Sequence, residues 1–121
     1  MTENEQIITE FIHAFCRFNA DELIEYFAPD AVYHNIPLPI LRGRDEIYES
    51  LKGLPKRFKE LKVEILHQIA SGNIVMNERI DYFTFPDGRQ VALPIAGIFE
   101  MQNGKIKAWR EYFDLGTFRQ S

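Results

Sequence analysis

The chain has 121 residues, 45% hydrophobic and 26% charged, which predicts one folded domain over residues 1–121. A net charge of −4 with both signs interspersed excludes the basic stripe of a nucleic-acid binder, and a single cysteine excludes an internal disulfide framework. No apolar run reaches membrane length and no signal-peptide pattern opens the chain, so the expected location is the cytoplasm, away from membranes.

Thr2 and Glu5 form a T-x-x-E capping box. Behind it Ile7, Phe11 and Phe15 recur every fourth residue, with Ile8 and Ile12 alongside. That spacing predicts a helix ending near Phe18, with Cys16 as a small residue in its apolar stripe. Asn19 and Glu22 repeat the capping pattern. Leu23, Ile24 and Phe27 then predict a short second helix, ended by Pro29 and Asp30. Ala31 to Asn35 reads as a short strand, and Pro37 and Pro39 break regular structure after it. Ile47, Leu51 and Leu54 mark a third helix stopped near Pro55. After Lys59 the pattern turns extended. Ser71-Gly72-Asn73, Pro86-Asp87-Gly88 and Asn103-Gly104 are turn signals that separate strands at about 60–70, 74–85, 89–101 and 105–114.

Helices first and an antiparallel meander afterwards argue an α+β fold. Its N-terminal helices pack on a curved, mostly antiparallel sheet forming a cone with an internal pocket. Strand alternation puts Arg79, Asp81, Phe83 and Phe85 on one face. Leu93, Ile95 and Phe99 share a face of the next strand, and Trp109, Glu111 and Phe113 share one of the last. Tyr33 and Asn35 share a face of the early strand, with His34 opposite. If these faces turn inward, the pocket holds Tyr33, Asn35, Arg79, Asp81 and Glu111. Buried charges must be paired, and Arg79 can fork between two carboxylates. The pattern alone leaves open a structural Asp–Arg–Glu salt bridge on an exposed sheet face. His13, His34 and His67 show no ligand spacing, and no phosphate loop, dinucleotide glycine pattern or nucleophile elbow occurs. Neither a metal nor a cofactor is expected. Asp87 and Asp114 read as turn and strand-end residues, and Trp109 as core or interface.

The segments Tyr33-His34-Asn35, Pro37-Leu38-Pro39, Gly43-Arg44-Asp45, Glu78-Arg79-Ile80-Asp81 and Trp109-Arg110-Glu111-Tyr112-Phe113-Asp114-Leu115 resemble the limonene-1,2-epoxide hydrolase family. That family belongs to the SnoaL-like, nuclear-transport-factor-like cone superfamily, and the resemblance runs from about Ala28 to Phe118. It implies that Arg79 and Asp81 match the family's Arg-x-Asp pair and that Tyr33 and Asn35 match its water-binding residues. Its second carboxylate, an Asp, falls on Glu111, which is one methylene longer. The implied activity is hydrolysis of an epoxide of a small apolar molecule to a vicinal diol. Glu111 is the expected base on water, Asp81 the acid on the epoxide oxygen, and Arg79 the bridge between them. Leu54, Phe58, Val63, Phe83, Leu93, Ile95 and Phe113 are the expected substrate-binding walls, though each reads equally as core. The resemblance and the exposed sheet suggest a homodimer.

Two alternatives share the fold. A ketosteroid-isomerase or polyketide-cyclase-like enzyme would need a proton-shuttling Asp near the end of the early strand, where Asn35 stands. A non-catalytic small-molecule-binding domain needs no intact polar set.

Overall fold

The computed structural model describes residues 2–119. Thr2 caps α1 (Glu3–Phe15): its hydroxyl accepts from Glu5 N at 3.1 Å, and the Glu5 carboxylate accepts from Thr2 N at 3.2 Å. The helix ends at Phe15, short of the expected Phe18. Cys16 caps it, with its thiol donating to the Ile12 carbonyl at 3.6 Å, and Phe18 adopts a left-handed φ of 56° that turns the chain. Phe15 and Phe18 keep a helical spacing of apolar residues, so the break leaves no trace in the hydrophobic pattern. Asn19 caps α2 (Ala20–Ile24) by accepting from Glu22 N.

Phe27 to Asp30 begin β1 (Phe27–Asn35) rather than end a helix. Pro29 forces Ala28 before it toward extended backbone, so the expected helix stop is a strand entry. A two-residue strand that the sequence pattern does not reveal, β2 (Leu41–Arg42), pairs antiparallel with β1. α3 (Gly43–Lys52) follows, and Pro55 sits in the first turn of α4 (Leu54–Arg57) instead of stopping α3. A first turn has no use for the missing N–H, so proline is tolerated there. Four strands then run β3 (Glu60–Ser71), β4 (Ile74–Thr84), β5 (Gln90–Gln102) and β6 (Lys105–Tyr112). Where the last strand was expected to reach residue 114, a short α5 (Leu115–Arg119) begins. Asp114 starts it by accepting from Gly116 N and Thr117 Oγ1, each at 2.9 Å.

The six strands form one sheet in the order β2-β1-β6-β5-β4-β3, antiparallel except for the β1–β6 pair. α1 lies on the concave face, where Phe11 meets Trp109 edge-to-face at 5.0 Å and Phe27 at 5.5 Å between ring centres. Tyr33, Trp109 and Phe99 stack in sequence, at 4.2 and 5.2 Å. This aromatic floor closes one end of the cone. On the opposite, convex side Met76 and Tyr82 of β4 and Tyr112 of β6 remain exposed. No helix among the described residues is long and apolar enough to cross a membrane.

Candidate active site

One row of the sheet is polar. Gln68 pairs with Asn77, Asn77 with Gly97, Gly97 with Glu111, and Glu111 with Asn35, so five strands contribute one residue each. The next row toward the floor is Val75, Phe99, Trp109 and Tyr33. Gln68 joins the polar row through a β-bulge: Ile65 pairs with Arg79 and His67 with Glu78, leaving Leu66 as the extra residue. The bulge reverses the alternation of β3, so that Gln68, and not His67, faces the interior.

Arg79 is 1% exposed and uses every donor it has. Nε donates to Asp81 Oδ1 at 3.2 Å and Nη2 to Asp81 Oδ2 at 3.3 Å. Nη2 also donates to Glu111 Oε1 at 2.5 Å, and Nη1 to Glu111 Oε2 at 3.0 Å. The fifth N–H goes from Nη1 to Asn77 Oδ1 at 2.9 Å. Asn77 in turn donates to Gln68 Oε1 at 3.2 Å, and Gln68 donates to Thr9 Oγ1 on α1 at 3.0 Å. The guanidinium is thus clamped from both sides and tied back to the helix.

Gly97 explains how the longer carboxylate fits. A Cβ at this position would lie 2.4 Å from Glu111 Oε2 and 2.7 Å from Arg79 Nη1. The missing side chain is the space in which the second carboxylate and the guanidinium meet.

Burial governs the titration of this cluster. It pushes the Glu111 carboxyl above its ordinary value; Arg79 opposes the shift and the Asp81 charge adds to it. Burial raises Asp81 as well, again opposed by Arg79. For Arg79 burial works against the charge, but Glu111 and then Asp81 outweigh it and hold the guanidinium above its usual range. Two carboxylates and one guanidinium, all buried, carry a net negative charge unless one carboxyl keeps its proton. The Tyr33 hydroxyl is pushed well above the phenol range, first by burial and then by Glu111, so it stays protonated. The Trp109 indole N–H is buried without a full hydrogen bond and lies close enough to Glu111 to favour its ionised form.

The cluster borders a cavity of about 110 Å³ whose lining includes Tyr33, Asn35, Arg79, Asp81 and Glu111. Leu54, Phe58, Val63, Phe83, Leu93, Ile95 and Phe113 line the same cavity. The five residues expected at the catalytic cluster and the seven expected walls therefore border one cavity, while Phe85 and Phe99, placed on the same inward faces, do not line it. Ile12, Phe15, Leu38, Arg57, Leu115 and Phe118 line it too and carry no signal in strand alternation, being helix or loop residues. Phe118 of α5 packs on Phe83 at 5.3 Å and Phe58 at 6.1 Å between ring centres. Trp109, read from the sequence as core or interface, is both core and cavity wall. Asn77 was missed although it shares strand parity with Arg79 and Asp81. Next to this inner lobe lies an outer lobe of about 280 Å³, which shares Phe15, Tyr33, Asn35, Leu38, Leu54 and Arg57 with it.

Comparison with known proteins gives consistent matches. Residues 2–120 match the family model described as the limonene-1,2-epoxide hydrolase catalytic domain. The epoxide hydrolase EphG of Mycobacterium tuberculosis is 30% identical over 110 residues, covering 89% of this chain and 71% of that protein. The solved structure of an M. tuberculosis LEH-like epoxide hydrolase superposes with a TM-score of 0.85 at 27% identity, over 95% of this chain and 85% of that one. An NTF2-like protein of unknown function from Burkholderia pseudomallei gives a TM-score of 0.86 at 22% identity, over 98% and 95% of the two chains, a likeness of fold.

Proposed function

The chain belongs to the limonene-1,2-epoxide hydrolase family, and from that membership and the geometry around Arg79 we propose that it adds water to an epoxide of a small apolar molecule in one step, giving a vicinal diol. The observation that carries this reading is the clamp itself: one buried guanidinium spends four of its five N–H groups on two carboxylates at the wall of an apolar cavity. An acid and a base within one cluster are what epoxide opening requires, since the carbon needs a nucleophile and the departing oxygen needs a proton.

The distances support an assignment of roles. Glu111 takes the shorter contacts from Arg79, 2.5 and 3.0 Å, against 3.2 and 3.3 Å for Asp81. The closer cation favours the ionised form of Glu111, so the shared proton belongs on Asp81. Glu111 is then the base on water and Asp81 the acid. Each Glu111 oxygen keeps a second lone pair free to accept from a water molecule. Asn35 stands beside Glu111 in the polar row, and the protonated Tyr33 hydroxyl lies near Asn35; these two hold the water. In the reaction the water gives a proton to Glu111 as its oxygen bonds to an epoxide carbon. The carbon–oxygen bond breaks, and the oxygen takes the proton of Asp81. The pair resets when the proton on Glu111 is returned to Asp81. The apolar walls bind the carbon frame. The convex face, with Met76, Tyr82 and Tyr112 exposed, is the surface through which we place a homodimer.

The test is a panel of apolar epoxides assayed for diol. The wild type should turn over at least one of them, while Asp81→Asn and Glu111→Gln should each lose about 10²–10⁴-fold in rate and remain folded. Near-normal turnover by Glu111→Gln would remove Glu111 from the role of base.

A further inference from the structure

Arg57 is an exposed cation that borders apolar cavity walls. It lines both lobes of the cavity and makes no ion pair among the described residues. Its guanidinium lies over the Phe58 ring at 5.4 Å, and Phe58 lines the inner lobe. The outer lobe contains no acidic residue, and the two acids of the inner lobe, Asp81 and Glu111, belong to Arg79. Charge is also unevenly spread along the chain. Lys52, Lys56, Arg57, Lys59 and Lys62 fall within eleven residues that hold one acid, Glu60, in a protein of net charge −4. Of these five only Arg57 lines the cavity.

An unpaired guanidinium at the rim of an apolar cleft selects for an anion attached to an apolar body. We propose that Arg57 is an anion subsite and that the preferred substrate is an epoxide whose carbon frame ends in a carboxylate. This deepens the hydrolase reading and rests on it for the word epoxide. Tyr33, Asn35 and Arg57 line both lobes, so a molecule bound beside the acid–base pair shares its cavity with the Arg57 guanidinium. A carboxylate matches the fork of a single guanidinium with two parallel hydrogen bonds. The Arg57 charge, exposed to solvent, should also make capture sensitive to salt.

The test separates binding from turnover. Trp109 is the chain's single tryptophan and borders the inner lobe, so its fluorescence reports occupancy. At mildly alkaline pH and low salt, cyclohexylacetate should bind about tenfold tighter than methyl cyclohexylacetate, a difference of about 1.4 kcal/mol. Added salt should shrink that advantage. Arg57→Gln should erase it and Arg57→Glu should invert it. Lys107→Gln, an equal change of charge at an exposed site on β6, should preserve it. In turnover, an epoxide acid and its methyl ester should show the same ratio in kcat/KM. Equal binding of acid and ester by the wild type, or an advantage that survives Arg57→Gln, overturns the subsite. Because the titration contains no epoxide, failure to form diol from any epoxide overturns the hydrolase reading and leaves the subsite to be judged on binding.

Discussion

Glu78 and Arg79 are neighbours on β4 and both make polar side-chain contacts, yet they lie on opposite faces of one sheet. Glu78 meets His67 Nδ1 at 2.9 Å on the convex side, with the two side chains 61% and 81% exposed. Arg79 meets Asp81 and Glu111 on the concave side, all three nearly sealed from solvent. In water the first pair gains little, because high dielectric and side-chain entropy cancel most of the attraction. In the cavity each charge has lost its hydration and depends on its partner. Two adjacent residues of the same strand therefore have opposite stakes, decided by the face each one points to.

The largest effect should come from breaking the buried side. Arg79→Ala leaves two carboxyls without their cation and should cost about 3–5 kcal/mol in urea unfolding, along with the activity. A loss under about 1 kcal/mol would mean that the carboxyls are satisfied from elsewhere. Gly97→Ala is the finer probe. Its Cβ would enter the space of Glu111 Oε2 and Arg79 Nη1, at a cost of about 1–3 kcal/mol. Adding Glu111→Asp, which withdraws the carboxylate by one methylene, should recover much of that stability. If the two changes add without recovery, Gly97 and Glu111 are not a matched pair.

Titration gives a third comparison. Burial raises both Asp81 and Glu111, so the folded protein holds more protons than the unfolded chain between the ordinary carboxylate value of about 4 and the raised folded values. The corresponding stability is fully present below that window and is lost as pH rises through it, by at most about 1.4 kcal/mol per pH unit for each proton. Asp81→Asn should flatten the slope, so the variant should gain on the wild type as pH rises. Urea unfolding across a pH series measures it, and parallel curves would place the titration elsewhere. The smallest effect belongs to the convex pair: Glu78→Gln should change stability by less than about 0.5 kcal/mol and leave turnover as it is.

The contrast also marks how far the sequence can be read. Alternation alone places Arg79, Asp81 and Phe83 together and sets Glu78 against them, and the hairpin turns locate β3 to β6 within a residue or two. Asn77 lay on the same parity, two residues before Arg79, and was legible in principle. Gly97 was not, because its meaning lies in the register that sets it between Asn77 and Glu111 on neighbouring strands. Gln68 was hidden for a sharper reason. Strict alternation from Val63 would send His67 inward, and only the bulge at Leu66 brings Gln68 there. Pro29 and Pro55 misled because proline excludes helix interiors but fits both a strand entry and a first helical turn, and local sequence does not choose between those outcomes.

The central claim is that water held by Glu111 attacks the epoxide carbon directly while Asp81 protonates the oxygen. A single turnover in heavy-oxygen water, with enzyme in excess over a hydrolysed epoxide, tests it by mass analysis of the diol. Direct attack places one solvent oxygen in the first diol formed. An unlabelled first-turnover diol would mean that an enzyme carboxylate supplied the oxygen through a covalent ester, and would contradict the mechanism.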